Sequence, residues 1–172
     1  IKKANVSGLI LASPCNPTGS ILNFQKFKQL IKIAKEKKIK IISDEIYHGW
    51  SYQKKLHSAI ELTDDVYVIG SFSKFFSMTG WRVGWMIVPN NDVRRIERLS
   101  QNLFICAPHA SQLLAKYSID NQNELQKNID LYKKNRKNLL LQLPKFGFEI
   151  LSPPDGAFYI YCGIDKISNN SI

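Results

Sequence analysis

Ser71-Phe72-Ser73-Lys74-Phe75-Phe76-Ser77-Met78-Thr79-Gly80-Trp81-Arg82-Val83-Gly84 sets a lysine among hydroxyl-bearing and aromatic side chains, with an arginine eight positions further on. A lysine amine that is partly stripped of water and has cationic neighbours gives up its proton readily and becomes a nucleophile for carbonyl groups. The stretch follows a short apolar run, residues 66–69, with Gly70 opening the turn between them. Two other polar groups stand in the same relation to an apolar run: Asn16-Pro17-Thr18-Gly19 after residues 6–12, and Asp44-Glu45-Ile46-Tyr47 after residues 39–43. Nearly continuous apolar runs of this length read as buried parallel strands. In open α/β sheets ligands bind off the carboxyl ends of such strands, where all three polar groups would converge.

The segments between these runs complete an α/β pattern. Asn23 is placed to cap a helix over residues 24–38, with Phe24, Phe27, Leu30, Ile31 and Ala34 on one face. Residues 83–88 form a further strand candidate ending at Pro89-Asn90-Asn91. Asn91 or Asp92 then caps a helix through Arg94, Ile96, Leu99 and Leu103, which Pro108 ends. A second helix is expected over residues 110–117 and a long amphipathic one over residues 124–143, stopping before Pro144. Residues 148–151 and 158–161 are expected to be strands around the turn Pro153-Pro154-Asp155-Gly156. The peptide bonds preceding Pro14 and Pro17 are candidates for cis geometry.

With 172 residues, 44% of them hydrophobic and 22% charged, the chain has the composition of a globular protein, not a disordered one. Most of its net charge of +10 lies upstream of Pro108, much of it on Lys26, Lys28, Lys32, Lys35, Lys37, Lys38 and Lys40. On an amphipathic helix such lysines form the solvated face. No nucleic-acid partner is expected, since these lysines are not interleaved with aromatics and no zinc-finger or RNA-recognition signature is present. A positive field also gathers phosphorylated cofactors and carboxylate substrates. Cys15, Cys106 and Cys162 are scattered, so neither a disulfide framework nor a thiolate zinc site is expected, and a reducing cytoplasm fits best. His48, His57 and His109 lack ligand spacing, so no metal site is expected. No apolar stretch reaches membrane-spanning length, and no membrane partner is expected.

Four groups of residues together resemble the class I/II aminotransferases, pyridoxal-phosphate enzymes with the aspartate aminotransferase fold, also called fold type I. They are Ser13-Pro14-Cys15-Asn16-Pro17-Thr18-Gly19, Asp44-Glu45-Ile46-Tyr47, Ser71-Phe72-Ser73-Lys74 and Thr79-Gly80-Trp81-Arg82-Val83-Gly84. Each alone is weak, and four in the family's order are strong. The resemblance implies a large domain with a mostly parallel sheet flanked by helices over residues 1–118. Residues 119–172 would then hold a linking helix and the start of a small α+β domain. It also implies that the strand over residues 83–88 runs antiparallel to the others. Because members of the family are roughly twice as long, the chain is expected to be a middle fragment; it opens on Ile1 and stops at Ile172 shortly after a new strand pair.

The resemblance further implies a role for each matched residue. Lys74 would hold the aldehyde of pyridoxal phosphate as a Schiff base and then shuttle a proton. Asp44 would keep the pyridine nitrogen protonated, as an opposite charge favours the charged form. Tyr47 and Asn16 would hydrogen-bond the cofactor's phenolic oxygen. Arg82 would clamp the phosphate with its planar fork, and Ser71 would add a hydroxyl to it. Gly80 and Gly84 would let the backbone pass close to the cofactor or a partner subunit. The implied reaction moves an amino group from an amino acid to a 2-oxo acid, in a homodimer when the protein is whole.

Two alternatives stay open on the sequence: a pyridoxal-phosphate lyase on the same fold, and the aminotransferase-like sensor of a transcriptional regulator. Half-reaction spectroscopy separates the first from transamination, and the upstream sequence settles the second. Because the family builds its site between two subunits, residues 1–172 expressed alone are expected to show negligible turnover in a coupled transamination assay.

Overall fold

The computed structural model describes residues 6–168. Its frame is a four-stranded sheet: β1 (Gly8–Ala12), β2 (Lys40–Asp44), β3 (Tyr67–Ser71) and β4 (Gly84–Ile87), in that spatial order. The first three strands run parallel and β4 is antiparallel to β3, as the resemblance implied. Each parallel step needs a crossover, and the first is the helix α1 (Phe24–Glu36). Asn23 starts it as expected, its side chain accepting the N–H groups of Gln25 at 3.0 Å and Lys26 at 3.3 Å.

Side chains alternate across the sheet, so its two faces have different fates. Phe27, Ile31 and Ala34 of α1 pack onto Ile41 and Val68 of the sheet and onto Val66 just before β3, with Leu9 and Leu11 at the margin. The opposite face carries Ile10, Ile42 and Met86, all exposed. The run at residues 6–12 reads as a fully buried strand, yet Ile10 is 72% exposed. The reason is positional: β1 has one neighbouring strand, and α1 covers only one of its faces.

Beyond β4 come α2 (Val93–Leu103), α3 (His109–Asp120) and α4 (Gln126–Gln142), followed by a small hairpin of β5 (Glu149–Ile150) and β6 (Cys162–Gly163). One expectation fails here. Residues 158–161 are not a strand; the pairing partner of β5 lies at Cys162–Gly163 instead. Segment 153–159 is drawn away from the hairpin by bonds to the other end of the chain: Gly156 N–H donates to Gly19 carbonyl at 2.8 Å, and Ala157 N–H to Trp50 carbonyl at 3.0 Å. The helix α4 supports this arrangement, since Ile129 packs with Trp50 and Tyr52 while Arg136 Nε donates to the Pro154 carbonyl. Pro144 does not stop the chain abruptly, because a short 3-10 turn, Leu143–Phe146, carries on past it. The bonds preceding Pro14 and Pro17 are both cis.

Replacing Phe27 by Ala is expected to cost about 3–5 kcal/mol, because it opens a cavity under the sheet. Asn23→Ala should cost only about 1 kcal/mol, for a lost cap. Denaturant unfolding of the two variants beside the parent protein checks the ranking.

Candidate active site

Strand register sets Ala12 beside Asp44 and Asp44 beside Ile69, so the carboxyl ends of β1, β2 and β3 lie level. Backbone bonds extend the alignment one residue further: Ser13 N–H donates to the Asp44 carbonyl at 3.3 Å, and Glu45 N–H to that of Ile69 at 2.9 Å. Asp44 Oδ1 accepts the N–H of Ile46 at 3.2 Å, an Asx turn that swings the chain off the sheet toward Tyr47. Glu45 anchors this turn from inside. Its buried Oε1 accepts the Ser43 hydroxyl at 2.9 Å and the Ala59 N–H at 2.8 Å, while Oε2 lies 3.3 Å from His48 Nδ1. A buried carboxyl group needs such donors, and here one residue ties β2 to the turn at Ala59–Glu61.

Tyr47 is buried, and its ring meets those of Phe158 and Tyr159 edge-on, with centroids 5.5 and 5.6 Å away. Its hydroxyl lies 2.5 Å from that of Tyr159. Burial pushes the Tyr47 phenol well above the ordinary tyrosine range, so it stays protonated at neutral pH.

The loop carrying Lys74 is held at both ends. Ser71 Oγ accepts the Ser73 N–H at 3.0 Å, and Met78 N–H returns to the Phe72 carbonyl at 3.1 Å, with Phe72 and Met78 buried as anchors. Between them Lys74 is half-buried, its Nζ 5.9 Å from the Tyr47 ring centre and 6.0 Å from that of Phe158. Among the described residues it has neither a carboxylate partner nor a hydrogen bond. It lines a recess of about 360 Å³ with Trp50, Ser73, Ser77, Asn128 and Tyr132.

Arg82 takes a left-handed backbone (φ 48°) and donates from Nη1 to the Thr79 carbonyl at 3.0 Å. It is exposed on a separate, larger groove of about 920 Å³ beside Ile69 and Gly70. Ser71 pairs with Gly84, so Ser71 and Arg82 stand at one end of the β3–β4 ribbon. A Cβ on Gly84 would come within 2.8 Å of the Gly70 carbonyl oxygen. Close strand approach therefore accounts for that glycine; Gly80 has open space around it. Asn16 lies exposed in a tight loop closed by Cys15 N–H to Ser20 carbonyl at 2.9 Å, and its side chain makes no hydrogen bond among the described residues.

The structure thus gathers Asp44, Tyr47 and Lys74, puts Ser71 and Arg82 at the adjoining edge, and leaves Asn16 unengaged. Tyr159 joins them from the far end of the chain, unpredicted. Among the described residues no cluster of His, Cys, Asp or Glu could hold a metal ion.

The family profile described as aminotransferase class I and II matches residues 1–171. The chain belongs to that family. It is similar to valine–pyruvate aminotransferase of Mycobacterium tuberculosis, 35% identical over 169 residues, covering 96% of this chain and 44% of that protein. To the aspartate aminotransferase of Sulfolobus acidocaldarius it is 34% identical over 167 residues, covering 95% of this chain and 42% of that one. A crystal structure of an aminotransferase from Mycobacterium tuberculosis superposes with a TM-score of 0.95 at 34% identity, over 99% of this chain and 46% of that one. The chain therefore spans less than half the length of the proteins it matches. Pyridoxal phosphate is the cofactor of this aminotransferase family. The donor set fits such a group: an amine with no acid paired to it, an acid at a neighbouring strand end, and a guanidinium whose one hydrogen bond is to a carbonyl.

Glu45→Ala is expected to leave the Ala59 N–H and the Ser43 hydroxyl without an acceptor and to cost about 2–4 kcal/mol. Thermal unfolding is the check, and a shift no larger than that of a surface Glu→Ala control would exclude the anchoring role.

Proposed function

We propose that the protein is a pyridoxal-phosphate-dependent aminotransferase that moves an amino group from an amino acid to a 2-oxo acid. The observation carrying this reading is Lys74: an unpaired, half-buried amine facing Tyr47, next to the strand end that bears Asp44, in a chain of the aminotransferase family. When bound, the cofactor supplies an aldehyde for the amino group and a ring that can accept the electron pair left on the substrate α-carbon.

The chain's own residues do the rest. Lys74 would hold the cofactor through its aldehyde. The same amine, when free, would serve as the base and acid that carries a proton during the transfer. The carboxylate of Asp44 keeps the ring nitrogen protonated, which makes the ring a better electron acceptor. Tyr47, neutral and buried, would donate to the cofactor's phenolic oxygen, which the Asn16 amide would share. Arg82 and the Ser71 hydroxyl take the phosphate. The Ser71 oxygen already accepts a backbone N–H, which leaves its own proton to donate.

Further parts of the reading concern the whole protein. It works as a cytoplasmic homodimer in amino-acid biosynthesis, with residues 1–118 in the large domain and 119–172 carrying the link to a small one. No helix among the described residues is long and apolar enough to cross a membrane. The relatives quoted are named aminotransferases, which favours transfer over elimination or a regulatory role.

In the whole protein, borohydride is expected to fix the cofactor to Lys74, as seen by peptide mass spectrometry, and Lys74→Ala should abolish the label and the visible absorption band. A band that persists in that variant refutes the role given to Lys74. Asp44→Asn is expected to retain cofactor but to lower kcat by roughly two orders of magnitude or more, as the loss of a half-buried, charge-stabilising acid implies. Unchanged kcat would remove Asp44 from the scheme.

A further inference from the structure

The Tyr47 hydroxyl, buried against two rings, is met by one side-chain hydroxyl, and that group arrives from 112 residues downstream. Its delivery is built into the backbone. Gly19 (φ 68°) sits so close to the turn at residues 154–159 that a Cβ would stand 2.9 Å from the Gly156 carbonyl, 3.0 Å from that of Tyr159 and 3.2 Å from Pro154 Cα. On the other side, a Cβ at Gly156 would press on the Trp50 carbonyl at 2.7 Å and on Pro14. Ser51 bridges Gly156, Tyr52 hydroxyl donates to the Ala157 carbonyl at 2.7 Å, and Ala157 is fully buried at φ 53°. Lys54 Nζ pairs with Asp155 at 2.6 Å across the rim. The turn is therefore riveted to both the Asn16 loop and the segment after Tyr47.

A phenol offers one proton and two lone pairs. If the Tyr159 proton is committed to the Tyr47 oxygen, the Tyr47 proton must point elsewhere, and Lys74 Nζ stands over the same ring, 5.9 Å from its centre. An accepted hydrogen bond also polarises Tyr47 into a stronger donor. We propose that Tyr159 is a positioning residue of the candidate active site: it donates to Tyr47, fixes the direction of the Tyr47 proton and sharpens its donation to the phenolic oxygen of the cofactor held at Lys74. This rests on the aminotransferase reading above. It gives the turn at residues 153–159 a part in the site that its position in sequence does not announce.

The test uses the whole protein loaded with pyridoxal phosphate and reads the pH midpoint of its visible absorption band, with borohydride fixation at Lys74 as a separate measurement. Tyr159→Phe keeps the ring packed against Tyr47 and removes only the hydroxyl. Weaker donation to the phenolic oxygen leaves the protonated form of the Lys74 linkage more stable, so the midpoint is expected to rise by roughly half a pH unit. Tyr47→Phe should raise it further, and the double variant should match Tyr47→Phe alone, since Tyr159 acts only through Tyr47. A midpoint unchanged or lowered in Tyr159→Phe, or shifts that add in the double variant, would overturn the proposal while Lys74 is still labelled. Absence of label at Lys74 in the parent protein would overturn the aminotransferase reading itself, and this proposal with it. Should Tyr159→Phe lose cofactor, the Gly19→Ala variant provides a second route: displacing the turn against its backbone contacts should raise the midpoint in the same direction, and an unchanged value again counts against the proposal.

Discussion

Parallel pairing of β2 with a strand on each side is the constraint from which the site follows. Parallel strands share a direction, so their carboxyl ends fall on one edge of the sheet, and the register Ala12–Asp44–Ile69 makes those ends level. Each strand then hands the chain to a loop at the same height. An acid, a phenol and an amine separated by tens of residues become neighbours without any direct bond between them. The α1 packing matters because it holds that register: a slip by one residue would turn Ile41 and Val68 out of the core and bring their exposed neighbours in.

Around this edge the polar groups divide into those that build the site and those left open. Glu45 is committed to the Ala59 N–H of a neighbouring turn and Ser71 to the Ser73 N–H of its own loop, which stiffens the turns carrying Tyr47 and Lys74. Lys74 is the counter-example, an amine on aromatic faces with no acid beside it. The sheet face at Ile10, Ile42 and Met86 is exposed, and Arg82 lines a separate groove.

The turn at residues 153–159 shows how close packing of backbones can replace a secondary-structure element. Gly19 and Gly156 let two loops touch main chain to main chain, and the resulting bonds hold a tyrosine where no strand or helix would place it. The same contacts explain why residues 158–161 do not pair with β5. The residues just before them, Gly156 and Ala157, are committed to the Gly19 and Trp50 carbonyls, and the hairpin closes farther on, at Cys162–Gly163.

Local signals carried the strand–helix–strand order, the Asn23 cap, the cis candidates at Pro14 and Pro17, and the placement of Asp44, Tyr47 and Lys74 at strand ends. These were readable because each depends on a few adjacent residues: apolar runs, a capping side chain, a turn. What reading along the chain could not supply was everything set by contact between distant segments. Ile10 is exposed because of which strands have neighbours, Asn16 is unengaged because of where its loop points, and Gly84 is required by the backbone of Gly70. Above all, Tyr159 reaches Tyr47 only after the chain has folded back over 112 residues. Periodicity encodes which face of an element is apolar; it carries no record of which distant hydroxyl will meet which, and that choice belongs to the packed chain alone.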